Sequence, residues 1–449
     1  MRSSVAATAI VAALLTSCVK YHARPLDPPQ SEQLFRARTL SDPGLRAFLR
    51  KAGWPPASLS LNDLAAVALY FNADLDMARA QWRSAQAAVL TAKGRPNPSV
   101  SVGGGYTNAP ESPLVFHFDP AFTLVTAGKR GWRILAAEKQ AEAARAGVEE
   151  TAWQVRSRVR GAWLSYLTAI RSRDALHNEQ RFRAATASIL ERRLNVGEVS
   201  QPDVNVARTA LITVETQAAA AETQVAESAA ALAAAVGLPA LPEVDTQSLP
   251  MPPASLTLAH VENDGLMHRA DIRRGLLQYA VAEANLHLEI ANQYPDLQLS
   301  PGYSFDEGHH KISFGPAFPI PLLNRNQGPI AEAEASRKQS EASFNALQAQ
   351  AIGEMQTALA RYNGARVELA QAEQRLNLIQ AREGATLRLV RAGEDDQLAL
   401  AGLRVEGAVA AAARVDALFR VEEAVSALEN AVQQPLTPGP PLPDPLAKP

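Results

Sequence analysis

Carboxylates gathered around two glycines are the residues of this chain best placed to do chemistry. Val196-Gly197-Glu198-Val199-Ser200 is followed by Asp203, and Ala392-Gly393-Glu394 by Asp395 and Asp396. Acids lining a constriction concentrate cations by a focused field. Acids at helix N-termini are equally favoured by the helix dipole alone. His117, His309 and His310 lie in or beside strand-like segments, but the eight histidines are scattered, with no His-x-x-x-His and no carboxylate pairing to hold a metal. His309-His310 reads as a solvated turn, and no metal site is assigned. Gly-x-Ser-x-Gly, a Walker loop, His-Glu-x-x-His and a mature thiol nucleophile are all absent, so no enzyme is expected. A net charge of −2 without any Lys/Arg-rich block gives nucleic acid no purchase.

The only cysteine, Cys18, follows Arg2, an apolar run from Val5 to Leu15, and Thr16-Ser17. That order describes a secretory signal peptide over residues 1–17. Leu15-Thr16-Ser17-Cys18 also resembles the bacterial lipobox, which implies a covalent lipid on Cys18 and otherwise no cofactor. The alternative is an ordinary signal peptide that happens to contain a cysteine. Position 19 is Val and not the Asp that would resemble an inner-membrane retention signal, which favours the outer membrane. Residues 18–60, rich in Pro and Arg, read as a tether with a short helical stretch near residues 45–50.

The elements that must position the glycine turns are duplicated. Pro98 to Tyr106 and Pro295 to Tyr303 share the pattern Pro-x-apolar-x-apolar followed by Gly-Tyr, at an offset of about 197. Leu61 pairs in the same way with Leu258, Asp74 with Asp271, Gly197-Glu198 with Gly393-Glu394, and Leu232 with Leu428. A repeat of this kind fixes the architecture before any local reading. We place repeat 1 at residues 61–237 with a hairpin at about 97–125, a linker at 238–255, and repeat 2 at 256–434 with a hairpin at about 295–321. A Pro-rich irregular tail fills residues 435–449. In each repeat the pattern predicts one helix of about 50 Å before the hairpin, one of about 100 Å after it, and a return helix of about 50 Å. The first is expected unbroken from Asn62 or Asp63 to Lys93, capped by one of those two residues. Val148, Ala152, Val155, Val159, Trp163, Tyr166 and Ile170 keep the spacing of a coiled-coil seam. One long rod then packs against two short ones stacked end to end, with a hairpin at one end and a glycine turn at the other.

The hairpins alternate apolar with polar or small residues. Leu297, Leu299, Tyr303 and Phe305 oppose Gln298, Ser300, Gly302 and Ser304, and Phe116, Phe118, Phe122 and Leu124 oppose His117, Asp119, Ala121 and Thr123. Strands of roughly nine to eleven residues with one apolar face can cross an outer membrane when tilted. A soluble sheet packed on a core is the alternative, yet little else in the chain could cover four such strands. His117, Asp119 and Lys311 then face a lumen. Pro120 and Pro316 are expected where strand bends into helix; Pro301 has no place in this scheme. Because four strands cannot close a barrel and open edges are not tolerated in lipid, copies must share one.

Arg95-Pro96-Asn97-Pro98-Ser99-Val100, the run from Phe318-Pro319-Ile320-Pro321 through Leu322-Leu323-Asn324-Arg325-Asn326-Gln327-Gly328, the lipobox and the paired glycine turns together resemble the TolC-type outer-membrane efflux proteins. Within them they resemble the CzcC/CusC-like metal-efflux members. The resemblance implies a mainly α fold with a β-barrel portion: long antiparallel helices forming a periplasmic α-barrel, and four strands per protomer in a trimeric twelve-stranded barrel. It implies a passive homotrimeric conduit in outer-membrane lipid that docks a periplasmic adaptor and an inner-membrane pump, often of the RND type. Val196, Gly197, Glu198, Val199, Ser200, Ala392, Gly393 and Glu394 become adaptor-contact tips. An aspartate six residues past the turn glycine belongs to the periplasmic gate in this family, a position held by Asp203 in repeat 1 and by Ala399 in repeat 2. Asp395 and Asp396 are the other gate candidates. Export of drugs or other organic compounds, type I secretion, and a lipid-anchored scaffold without a pore are the competing readings.

Overall fold

The computed structural model describes residues 21–51, 60–108, 113–246, 265–266, 268–306, 308–436 and 443–447. Cys18 and the leader lie outside these residues, as do the second half of the 238–255 linker and most of the start of the second pre-hairpin helix. The chain separates into two units at Thr39. In the first, α1 (Pro28–Arg36) is capped by the Asp27 carboxylate accepting from the Gln30 amide, with prolines at its first turn. Sequence reasoning had no helix there.

The second unit holds α2 (Pro43–Lys51), α3 (Leu61–Phe71), α4 (Ala73–Lys93), β1 (Ser99–Tyr106), β2 (Leu114–Leu124), α5 (Lys129–Asn195), α6 (Gln201–Val236), α7 (Ala270–Ala291), β3 (Leu297–Asp306), β4 (His309–Ala317), α8 (Gln327–Ala392) and α9 (Gln397–Val432). The two long helices have 67 and 66 residues and both return helices have 36. The pre-hairpin helix of repeat 1 is not continuous. Asn72 takes an extended backbone, ends α3, and caps α4 by accepting from the Asp74 and Leu75 amides. Arg79 then donates to the Leu69 carbonyl freed at the end of α3, which fixes the angle between the two pieces. In repeat 2, Arg269 stands at the equivalent position, also extended, immediately before α7. The cap of α3 is Ser60, in a reciprocal capping box with Asp63, so Asp63 is the third helical residue and not the cap.

The strands form one antiparallel sheet in the order β1-β2-β3-β4. Phe118 sits opposite Val102 on one side and Tyr303 on the other, and Tyr303 opposite Ile312. This apolar face is exposed along its length, with Phe118 41%, Phe314 71% and Ile312 88% accessible. Pro120 does not end its strand; it lies inside β2, opposite Val100, and Pro301 lies inside β3, opposite Phe314. Continuing the β2–β3 register from the Phe118–Tyr303 and Phe122–Leu299 pairs brings the two prolines face to face. Two residues without an N–H share one rung, so the missing donors are confined to a single place in the ladder. Pro316 also lies within its strand, paired with Leu299 one residue before the end of β4, and the next helix begins only at Gln327, so it does not mark a bend into helix. His309 and His310 are not turn residues either: they pair with Asp306 and Phe305 as the first residues of β4, and Gly308 makes the turn with φ +80.

The helices beneath the sheet keep the order of the strands, α4 beside α5, α5 beside α7, and α7 beside α8. The larger core gathers Leu64, Leu69, Leu75, Val155, Val159, Trp163, Leu167 and Leu232 from repeat 1, with Phe419 from α9. The smaller one gathers Met355, Leu359, Tyr362, Val421, Val425 and Leu428 from α8 and α9. Among the described residues no helix is long and apolar enough to cross a membrane.

Candidate functional site

Both glycine turns are built alike. Gly197 and Gly393 hold φ +78 and +74, where a side chain is strained, and a Cβ on either would meet no atom within 4 Å. The Glu198 amide donates to the Arg193 carbonyl at 2.9 Å, and the Glu394 amide to the Leu389 carbonyl at 2.9 Å. These are the closing bonds of a Schellman turn, and they leave Val196, Ala392, Glu198 and Glu394 exposed around it.

The two turns lie side by side, because the Arg193 guanidinium of repeat 1 bonds the Asp396 carboxylate of repeat 2 and also lies 3.9 Å from Glu198. Asp396 caps α9 as well, accepting from the Leu398 amide. The Arg193 hydrogen bond, with the Leu398 amide behind it, holds the Asp396 carboxyl below the usual carboxylate range. Asp203 is occupied differently. Its carboxylate accepts from the Ser200 hydroxyl at 2.5 Å and the Ser200 amide at 3.0 Å, closing a capping box at the start of α6, and these bonds lower its pKa. Asp203 and Asp396 thus both serve as fixed negative charges at helix starts, and Asp395 is exposed beside them. Arg193 between Asp396 and Glu198 holds the two turns together, and Asp203 adds a carboxylate at the start of α6, a set of acids able to attract cations.

At the opposite end of the long helices, His117, Asp119 and Lys311 share the polar face of the sheet. His117 pairs with Gly103 on β1 and Ser304 on β3, and Ser304 with Lys311. The imidazole covers Gly103 so closely that a Cβ there would clash with the ring, and Asp119 covers Gly302 in the same way. Glycine is required at both places by the side chain across the strand. Lys311 bonds Asp306 at 2.9 Å, and the Tyr303 hydroxyl lies 2.7 Å from His310 Nδ1. Among the described residues no three His, Cys, Asp or Glu side chains are grouped to hold a metal.

A third cluster was not found from sequence. Arg156 and Arg160 of α5 meet Glu422 and Glu429 of α9, all buried: Arg156 to Glu429 at 2.7 Å, Arg160 to Glu429 at 2.8 Å and Arg160 to Glu422 at 3.3 Å. Burial pushes Glu422 up to about 7, against the pull of Arg160 and with the added repulsion of Glu429. One Glu422 oxygen and the Arg160 Nε have no protein partner.

Comparison with known proteins places this geometry. The family described as "Outer membrane efflux protein" matches residues 64–238. The cobalt-zinc-cadmium resistance protein CzcC of Cupriavidus metallidurans is 28% identical over 305 residues, covering 66% of this chain and 70% of CzcC. Crystal structures of CusC superpose with a TM-score of 0.67 at 19% identity, covering 83% of this chain and 91% of CusC. The outer membrane protein VceC of Vibrio cholerae gives 0.68 at 21% identity over 83% of this chain and 96% of VceC. The open state of the MtrE outer membrane channel of Neisseria gonorrhoeae gives 0.66 at 16% identity, over 85% and 90%.

Proposed function

We propose that this chain, which resembles the outer membrane efflux protein family over residues 64–238, is the outer-membrane channel of a tripartite efflux system. It is a passive homotrimeric conduit that receives heavy-metal cations from an inner-membrane pump of the RND type through a periplasmic adaptor. The observation that carries the reading is the four-stranded sheet: one face is apolar, the other polar, and among the described residues the outer edges of β1 and β4 have no strand partner. Such a sheet is stable in lipid only as part of a closed barrel, and three copies give twelve strands around a water-filled lumen. His117, Asp119 and Lys311 line that lumen. Heavy-metal cations as cargo are supported by the 28% identity to a protein named for cobalt, zinc and cadmium resistance. Conduction needs weak binding, and among the described residues the carboxylates are not grouped into a tight metal site.

At the far end of the rods the open glycine backbones at 197 and 393, with Val196, Glu198, Val199, Ser200, Ala392 and Glu394, form the surface met by the adaptor. Asp203, Asp395 and Asp396 give the gate its negative field. A lipid on Cys18 anchors the N-terminus in the outer membrane.

Purified protein in a planar bilayer tests the conduit. Stepwise conductance and oligomers that dissociate on heating are expected; a protein giving neither is a periplasmic scaffold. Deleting the gene and profiling sensitivity to Zn, Co, Cd, Cu, Ag and hydrophobic drugs tests the cargo. Sensitivity raised for the drugs alone makes the cargo organic, and a lost secreted protein makes the system a type I exporter.

A further inference from the structure

Strand order decides what lies beside the free edges once copies share a barrel, the premise taken here from the proposed function. β1 and β4 are the outer strands and run antiparallel to each other. Closure therefore seats β4 of one copy against β1 of the next, and brings the end of β4 level with the beginning of β1. The helices below follow the same order, with α4 at one edge and α8 at the other. Residues 318–326, which leave β4, must then lie against residues 94–98 of the neighbour, which enter β1.

Both segments have unusual surfaces. The first carries its apolar side chains outward: Ile320 is 68%, Leu322 76% and Leu323 99% accessible. It is also a built loop. The Leu322 amide donates to the Ile320 carbonyl at 2.8 Å. The Asn326 amide donates to Asn324 Oδ1, the Arg325 amide to Gln327 Oε1, and the Asn326 side chain to the Glu289 carbonyl, each within 3.0 Å. Fixed, exposed leucines mark a contact. The second segment borders an open cavity of about 560 Å³ lined by Ala88, Thr91, Ala92, Arg95, Arg133 and Ala137. Its floor is alanine and so leaves room for a branched apolar side chain. Its wall is held in place by Arg133, which donates to the Ala92 and Gly94 carbonyls, and by Arg130, which donates to the Lys93 carbonyl at 2.7 Å.

We propose that Leu322 and Leu323 of one copy fill the alanine-floored cavity between α4 and α5 of the next. The cavity is incomplete within one chain, and the loop is its missing wall. This contact locks neighbouring protomers directly below the membrane strands, independently of the strand pairing above it.

Cysteine cross-linking of the full chain in its own membranes tests this. Leu323→Cys combined with Ala88→Cys, oxidised with copper phenanthroline, is expected to give reducible covalent dimers and trimers. Their yield should be at least fivefold above either single variant, and Leu323→Cys with Ala137→Cys provides an independent second pair. Two results overturn the contact while leaving the conduit standing: oligomers without cross-links in both double variants, or equal cross-linking by Leu323→Cys alone. Bimane on Leu323→Cys quenched by brominated phospholipid as strongly as bimane on Ile312→Cys would assign the loop to lipid and equally overturn the contact. A wild-type chain with neither oligomer nor conductance removes the shared barrel itself, and this contact with it.

Discussion

The two long helices are the same element twice, yet their described surroundings differ. Among the described elements α5 packs against α3, α4, α6, α7 and α9, and α8 against α7 and α9, with Gly265 and Leu266 also lying against the Met355 end of its core. Their seams correspond residue for residue, Val159 with Met355, Trp163 with Leu359 and Tyr166 with Tyr362. What differs is the next face. Arg156 and Arg160 on α5 are buried against α9, while α8 carries Ile352 and an exposed Gln356 at those positions. Their partners show the same asymmetry: Glu422 and Glu429 of α9 are matched in α6 by Ala226 and Ala233. At these four positions charge stands on the two faces where one repeat crosses the other, and apolar or neutral residues stand at the matching places. Duplication supplied the rods, and this ion cluster distinguishes the helix that is the hub from the one that is the edge.

Removing the distinction should have the largest effect. Arg160→Ala strands Glu422 and weakens the hold on Glu429 inside the protein, at a cost of about 3–5 kcal/mol. Gln356→Ala, at the equivalent exposed position, should change stability by less than about 0.5 kcal/mol. Urea unfolding of both variants measures the difference; equal losses would show that the two helices are not hub and edge.

Acidity probes the same cluster from the other side. The Glu422 carboxyl titrates at about 7 in the folded chain, well above its ordinary value. Between that ordinary value and 7 the native state therefore holds a proton that the unfolded chain has released. The Glu422 contribution to stability is complete at the acid end of this window and is lost as pH rises through 7. The groups facing it are Arg160 from α5 and Tyr362 from α8, with Glu429 on its own helix. Glu422→Gln mimics the protonated form. Its unfolding midpoint, followed from pH 5 to 8, should gain on wild type as pH rises, and parallel curves would refute the assignment.

Much of this was legible in the chain, and the rest was hidden for identifiable reasons. Proline-free runs and paired glycines marked the long helices and their turns because those signals are local. The break at Asn72 was missed because no glycine or proline marks it between Leu61 and Lys93; Asn72-x-Asp74, an N-cap signature, was the available sign. Pro120 and Pro301 make sense only once strand register sets them opposite each other. Asp203 was read as a gate residue by resemblance, while Ser200-x-x-Asp203 also spelled the capping box it forms. The ion cluster joins residues far apart in sequence. Aligning the two repeats and asking where one copy is charged and the other neutral would have exposed it.

The glycine turns are where the repeats agree, so they should fail equally. Gly197→Ala and Gly393→Ala each force a left-handed residue to carry a Cβ, costing about 1–2 kcal/mol. Similar losses in thermal midpoint are expected from both. A clear inequality would mean that one turn is held by a neighbour the other lacks.

The smallest effect on stability falls on the one bond that joins the turns. Arg193 and Asp396 are partly exposed and screened by water, so Arg193→Ala should leave the thermal midpoint close to that of wild type. Its consequence belongs to conduction. Without Arg193 the two turns lose their cross-repeat bond, and the acids around them gain a net negative charge. Single channels of Arg193→Ala in bilayers should open more often and favour cations more strongly than wild type, while Asp203→Ala weakens cation preference. If Arg193→Ala leaves both properties unchanged, the bond is only a surface ion pair and the gate lies elsewhere along the rods.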